Sequence, residues 1–306
     1  MKPRSCWSLV GSSSTAELIR DFVRVNSRLS GPVLLSGEPG VGKGRIARFI
    51  HQGSLFRAHP FQVVDCSAFF EDELGAELFG CSDRDANGCA KPGTLRDPGG
   101  GTCYFARCEE IAPSIQARLR EYIESCRGRE SGESGSRRLV FSSSRDIAAF
   151  ARAGLFDRKL FDTFAGSLLA VHPLRKRQED LGPLVGYYSA GSREPAPVFS
   201  PAALKALTSY PWPGNHHELE NEVSRLLKSV RGEIGVEHLS LRIANFWLGG
   251  RQDPDVGKVS RQLDECMEEF KVLTRLDSVF GNLLLTENKW GDEAVNPEAR
   301  SSGTGY

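Results

Sequence analysis

The sequence predicts an α/β fold, a parallel sheet covered by helices and followed by a small helical domain. Three observations lead there. Short apolar runs alternate with longer amphipathic stretches as far as about residue 190, the pattern of strands joined by helical crossovers. A glycine-rich turn separates the first apolar run from a helix. Past "REPAPVFS" the strand signal fades into helical periodicity.

In chain order, "STAELIRDFVRVNSRL" reads as an amphipathic helix and "PVLLSG" as the first strand. The helix "GRIARFIHQG" comes next, then the strands "FQVVDCSA" and "TCYFARC". "SIQARLREYIESC" sets Ile115, Leu119, Tyr122 and Ile123 on one apolar stripe, which makes it a helix packed on the sheet. "RGRESGESGSRR" is glycine, serine and charge, a solvated loop ahead of the fourth strand "RLVFSSS". "SLLAVHPL" is the fifth strand. From about 199 to 250 the chain reads as all helix, with Ser200 as an N-cap and Pro201 as the first helical residue. The expected division is a core over 1–190, a helical lid over 191–250, a further helix over 251–285 and a polar, disordered tail over 286–306.

Composition narrows the function classes. The 306 residues are 40% apolar and 25% charged, enough for a substantial core. Lysine plus arginine equals aspartate plus glutamate at 39 each, so overall charge favours neither nucleic acid nor a membrane surface. The N-terminus lacks the apolar stretch of a signal peptide, and no run approaches the roughly 18 to 20 apolar residues of a membrane span, so the chain reads as cytoplasmic. Eight cysteines show no CxxC pairing and read as reduced thiols, and the histidines are scattered apart from the adjacent His216 and His217. No metal site is expected.

One stretch carries chemistry. Gly37-Glu38-Pro39-Gly40-Val41-Gly42-Lys43-Gly44 fits GxxxxGK between an apolar strand and a helix. In that setting the loop amides point at phosphate oxygens, the helix N-terminus adds partial positive charge and Lys43 supplies a point charge. Gly44 stands where a Ser or Thr hydroxyl would bind magnesium. A second stretch, "GGGTCYFARCEE", reads as a buried strand that ends without the magnesium carboxylate such a loop works with.

From about residue 9 to 245 the chain resembles the AAA+ domain of bacterial sigma-54-dependent transcription activators, the enhancer-binding proteins. The matching stretches include "LVGSSS", "GEPGVGKGRIARFIHQGS", "PFQVVDCSAF", "GAELFG", "GGTCYF", "SSSRDI", "HPLRKRQEDLGPLV" and "YPWPGNHHELENEVSRLL", in the family's order. The resemblance implies an AAA+ three-layer sandwich around a five-stranded parallel sheet, with ATP or ADP as ligand. In that family the position of Gly44 is often Glu, so the cradle survives comparison.

The catalytic half departs from the family. Ala106 and Arg107 replace its Asp-Glu pair, which would hold magnesium and polarise the attacking water. The Asn that restrains the catalytic Glu becomes Asp65, and the sensor Asn becomes Ser144. Asp157 and Thr163 occupy the two arginine-finger positions, with Arg158 one place late, and His217 replaces the lid's sensor arginine. Glu109 and Glu110 lie too far along to stand in for the lost acids by register, and Glu110 matches a different family acid. An arginine finger alone is worth about 10³ to 10⁵ in rate, so the resemblance implies a pseudo-ATPase with weak magnesium dependence. The alternative is an active ATPase that remodels sigma-54 RNA polymerase.

The family's contact points are also altered. Where its GAFTGA loop would touch sigma-54 this chain has Arg84-Asp85-Ala86-Asn87-Gly88-Cys89, of which only the glycine remains. "VSRQLDECMEEFKVLTRLDSVFGN" resembles the first helix of a Fis-type DNA-binding domain, but the residues after it lack the turn and recognition helix; the alternative is a dimerising or packing helix with Leu263, Met267, Phe270 and Leu273 on one face. The expected partners are therefore other AAA+ activators or regulatory proteins, possible in an oligomer, and not DNA, sigma-54 or a membrane.

Overall fold

The computed structural model describes residues 9–80, 93–97, 99–126, 137–190 and 197–249. The Arg84–Cys89 stretch, most of the glycine-serine loop, the Fis-like helix and the tail lie outside them. The chain divides into two units, Met1–Ile243 and Ala244–Tyr306; the core and the lid as far as Ile243 lie in the first, and the boundary falls within the last described helix.

All five expected strands form, as β1 (Val33–Ser36), β2 (Phe61–Asp65), β3 (Gly101–Ala106), β4 (Arg137–Ser143) and β5 (Leu168–Ala170). They make one parallel sheet in the order β2-β3-β4-β1-β5. α1 (Ser14–Asn26) precedes β1, and the crossovers that parallel pairing demands run through α2 (Lys43–Gln52), α3 (Glu71–Phe79), α4 (Pro113–Ser125) and the short α5 (Ile147–Arg152) and α6 (Arg158–Asp162). Helices on both faces explain why the strands read as continuous apolar runs. One face packs Leu34, Phe105, Leu139 and Phe141 against α4, with Phe105 and Phe141 stacked at 4.5 Å between centroids. The other packs Val33, Leu35, Tyr104 and Val140 against α1 and α2.

The strand boundary after the glycine-serine segment falls earlier than the sequence suggests. Arg137 and Arg138 belong to β4, paired with Gly101 and Thr102. Arg138 is fully buried and donates to the Asn26 carbonyl at 2.8 Å. Arg138 already opens the expected strand "RLVFSSS"; charge made Arg137 alone look like loop.

The lid comprises α7 (Leu181–Ser189), α8 (Pro201–Ser209), α9 (Asn215–Ser229) and α10 (Leu241–Gly249). Ser200 caps α8 as expected, its hydroxyl accepting the Ala203 N–H at 3.1 Å. One correction applies: this region is not all helix. β6 (Val198–Phe199) and β7 (Glu233–Ile234) form a two-residue parallel ladder, too short to leave a period in the sequence. Trp212 is fully buried and donates its indole N–H to the Leu207 carbonyl at 2.8 Å, fixing the turn into α9.

Candidate nucleotide site

The glycine loop runs from the end of β1 to the start of α2. Gly42 caps α2 in the left-handed region, at φ 97°, where a side chain would strain the backbone. Gly40, at φ 77°, passes so close to the lid that an added Cβ would lie 2.2 Å from the Gly214 carbonyl oxygen. Asn215, at the start of α9, ties the two regions together. Its amide nitrogen donates to the Pro39 carbonyl at 3.0 Å and to Glu38 at 3.3 Å, and its oxygen accepts the Leu174 N–H at 2.8 Å. Glu38 also takes both arms of Arg175, and this guanidinium holds its carboxyl below the usual carboxylate range.

Lys43 is the first residue of α2, so its ammonium hangs over the loop that precedes it. It donates to the carbonyls of Gly37 at 2.6 Å and Glu38 at 3.0 Å and to Ser144 Oγ at 3.2 Å. Burial lowers its pKa, and the nearby Glu109 carboxylate works against that shift. An open cleft beside it is lined by Gly42, Lys43, Gly44, Arg48, Tyr104 and His217. The sequence-predicted His217 therefore does reach the cleft of Lys43.

A second, largely apolar pocket adjoins that cleft and shares Gly42, Arg45 and His216 with it. Its walls include Leu9, Val10, Val41, Ile46, Leu184 and Tyr187. Asp180, fully buried, fixes the mouth by accepting the backbone N–H groups of Ser12 and Ser13, each at 2.8 Å, and the Ser13 hydroxyl at 2.7 Å. An apolar slot joined to a basic, glycine-lined cleft can take a flat ring at one end and phosphates at the other.

The wall between them holds a polar relay that the sequence reading missed. Arg177 donates to His216 Nε2, which makes Nδ1 the protonated nitrogen, 3.3 Å from the Tyr188 hydroxyl. Arg45 donates to the same hydroxyl at 3.0 Å and pairs with Glu220 at 3.1 Å. Burial, with Arg177 and Arg45 nearby, pushes His216 down to about 3, so this ring is neutral near pH 7. His216 was overlooked because adjacency to His217 argued only against a metal pair.

At the end of β3 the structure shows what replaced the acidic pair. Ala106 sits opposite Asp65 in the β2–β3 register and brings only a methyl group. Arg107 takes left-handed backbone at φ 56° and closes both guanidinium arms on Asp65, one at 2.8 Å. The Arg107 charge is thus neutralised in place. Its charge holds the Asp65 carboxyl below the usual range.

The remaining degenerate positions have local structural work. Asp157 caps α6, accepting the Leu160 N–H at 2.9 Å, and pairs with Arg120 at 3.2 Å. Thr163 caps the other end, donating its hydroxyl to the Leu160 carbonyl at 2.6 Å. Arg158 pairs along the same helix with Asp162 at 3.0 Å. Ser144 meets Lys43 through its hydroxyl and Glu109 through its backbone N–H, at 2.9 Å. The turn after β3 folds the Glu109 carboxylate onto the end of β4. Among the described residues no group of three or more His, Cys, Asp or Glu is placed to hold a metal ion, and no helix is long and apolar enough to cross a membrane.

The sigma-54 interaction domain family matches residues 9–168, and the AAA+ ATPase lid domain family matches residues 175–247. The chain belongs to the sigma-54 interaction domain family. The transcriptional regulatory protein ZraR of Klebsiella oxytoca is 31% identical over 294 residues, taking in 92% of this chain and 65% of the relative. The anaerobic nitric oxide reductase transcription regulator NorR of Serratia proteamaculans is 30% identical over 277 residues, taking in 87% of this chain and 54% of the relative. This chain therefore spans less than two thirds of the length of these relatives. NtrX from Brucella abortus, solved in complex with ADP, superposes with a TM-score of 0.66 at 24% identity, over 78% of this chain and 56% of that one. A structure of NtrX in complex with ATP gives 0.65 at the same identity, covering 77% and 55%. These likenesses show the AAA+ P-loop fold, five-stranded sheet and helical lid included.

Proposed function

We propose that this chain is a nucleotide-binding AAA+ regulator of transcription that holds ATP or ADP without hydrolysing it and acts through protein contacts. The observation that carries the reading is the contrast between the two halves of the site. The loop from Gly37 to Gly44 and Lys43 are fully formed beside a basic cleft and an apolar cavity, whereas the end of β3 offers Ala106 and an Arg107 tied to Asp65. NtrX, of the same fold, was solved with ADP and with ATP, which supports the ligand class.

Binding and turnover make different demands. Phosphates are held by loop amides, the α2 N-terminus and Lys43, none of which needs the β3 acids. Hydrolysis needs an oriented water and charge stabilisation as the phosphoryl group transfers. Here no carboxylate stands at Ala106 or Arg107, and Asp157 and Thr163 are engaged as helix caps where fingers would be. His217 lines the cleft in place of the lid arginine and gives a weaker phosphate contact than a guanidinium fork.

The partner class follows from which surfaces remain. The Arg84–Cys89 stretch lacks the sequence that would touch sigma-54, and residues 283–306 do not carry a recognition-helix pattern. Other AAA+ regulators are the fitting partners. In a mixed ring Asp157 and Thr163 offer no arginine to a neighbour, so the partner's ATPase is inhibited. The test titrates this protein into an active family member while measuring its hydrolysis and, separately, measures nucleotide binding by calorimetry. Falling partner turnover and binding abolished by Lys43→Ala are expected. Unchanged partner hydrolysis together with tight, sequence-specific DNA binding would sink the reading.

A further inference from the structure

We propose that Arg45 is a phosphate-binding residue of the nucleotide site, and that the phosphates draw its guanidinium away from Glu220 of the lid. The proposal rests on the nucleotide-binding reading of the Lys43 loop and adds to it a residue outside the glycine motif.

Position singles Arg45 out. It follows Gly44 in the first turn of α2, the end of a helix where unpaired N–H groups favour an anion. Among the described residues only Gly42, Arg45 and His216 line both the open cleft and the apolar slot. A nucleotide with its base in the slot and its phosphates in the cleft passes all three. Gly42 has no side chain and His216 is uncharged near pH 7, which leaves Arg45 as the cation at the crossing. Arg48 lines the cleft alone, its guanidinium 4.6 Å from the centre of the Phe61 ring.

The contacts of Arg45 divide between two arms. Nη1 donates to the Tyr188 hydroxyl at 3.0 Å, and Nη2 reaches the two Glu220 oxygens at 3.1 and 3.4 Å. The first arm is the better anchored, since the same hydroxyl also meets His216 Nδ1 at 3.3 Å. The second holds a weak partner. The side chains of Arg45 and Glu220 are 30% and 45% exposed, and an ion pair that water can reach gains little over two hydrated charges. A phosphate offers the guanidinium denser charge and forked, charge-assisted bonds. Nη2 can therefore change partners while Nη1 stays on Tyr188. Glu220 is the only carboxylate among the described residues that line the cleft, and its exposure keeps it hydrated once it is unpaired.

A phosphate contact and a packing role leave different signatures. Arg45 also lines the slot, so a residue that merely shaped the slot would matter equally to a nucleoside and a nucleotide. A phosphate contact matters to the nucleotide alone. Exchange adds a second signature, because nucleotide binding then costs the Arg45–Glu220 pair. Glu220→Gln removes that cost only where Arg45 is present, whereas the repulsion between Glu220 and the phosphates is relieved in either background.

The experiment is calorimetric titration of ADP into the full chain in EDTA, with adenosine affinity read from its displacement of ADP. Arg45→Gln is expected to weaken ADP by roughly tenfold and to leave adenosine unchanged, with Arg45→Lys, which keeps the charge and loses the fork, in between. Glu220→Gln is expected to tighten ADP, by roughly threefold more in the otherwise wild-type chain than in the Arg45→Gln background. Equal losses for adenosine and ADP in Arg45→Gln would overturn the phosphate contact, and equal effects of Glu220→Gln in the two backgrounds would overturn the exchange; both would leave nucleotide binding standing. No binding of ADP by the wild type would instead refute the site itself, and this proposal with it.

Discussion

Asp180 is the residue whose removal most clearly separates architecture from chemistry. It is fully buried at the start of α7, yet its partners lie at the other end of the domain, in the segment before α1. One oxygen takes two backbone N–H groups, from Ser12 and Ser13, and the other takes the Ser13 hydroxyl, which itself caps α1 by accepting the Ala16 N–H at 3.1 Å. Asp180→Ala deletes all three acceptor contacts. Ser12 is exposed, so water replaces its bond at little cost, whereas Ser13 is buried and loses both of its contacts. Hydrogen bonds to a charged group contribute about 1.5–3 kcal/mol each, so losing the two made by Ser13 costs about 3–6 kcal/mol. At roughly 2–4 °C per kcal/mol for a domain of this size, the melting midpoint falls by about 10 °C. Asp180→Asn retains one acceptor oxygen and should lose less than half as much. Urea unfolding of the three proteins measures this, and nucleotide titration reads the second consequence, weaker binding as the Leu9 and Val10 wall of the cavity loosens. A stability change under about 0.5 kcal/mol in Asp180→Ala would refute the reasoning.

Two further outcomes follow from the site. His216 is held neutral in the folded state down to about 3, whereas an unfolded histidine titrates near 6.5, so the unfolded chain takes up the extra proton as pH falls. Its contribution is complete above about pH 6.5 and declines from there toward pH 3; unfolding free energies across that window should flatten in His216→Gln, and an unaltered slope would contradict the assignment. The Asp65–Arg107 pair predicts that Arg107→Glu alone lowers stability by opposing two carboxylates, that adding Asp65→Asn recovers it, and that neither protein gains hydrolysis while Ala106 remains. A double variant no more stable than Arg107→Glu in thermal melts would remove the pairing argument.

Much of the fold was legible because strands buried on both faces leave unbroken apolar runs, and all five are where those runs lie. The glycine loop was legible for a different reason: GxxxxGK between strand and helix leaves few other geometries. Arg137 misled because a buried arginine in a strand looks like loop until its partners, Gln62 and Asp97, are known. The place of Glu109 was not legible, because register along a strand says nothing once the backbone turns left-handed at Arg107. Likewise Asp65 and Arg107 each read as a separate loss, and only their contact shows one exchange compensating the other. The Arg177–His216–Tyr188–Arg45 relay joins residues from three helices and the turn before α7, which no local pattern connects.

The central claim is that this site holds a nucleoside triphosphate and leaves it intact. The direct measurement incubates the purified protein with labelled ATP and magnesium at high protein concentration, isolates the complex and identifies the nucleotide retained. Intact ATP, bound in amounts that Lys43→Ala abolishes, is the predicted result. ADP accumulating over time in the wild type and not in Lys43→Ala would contradict it.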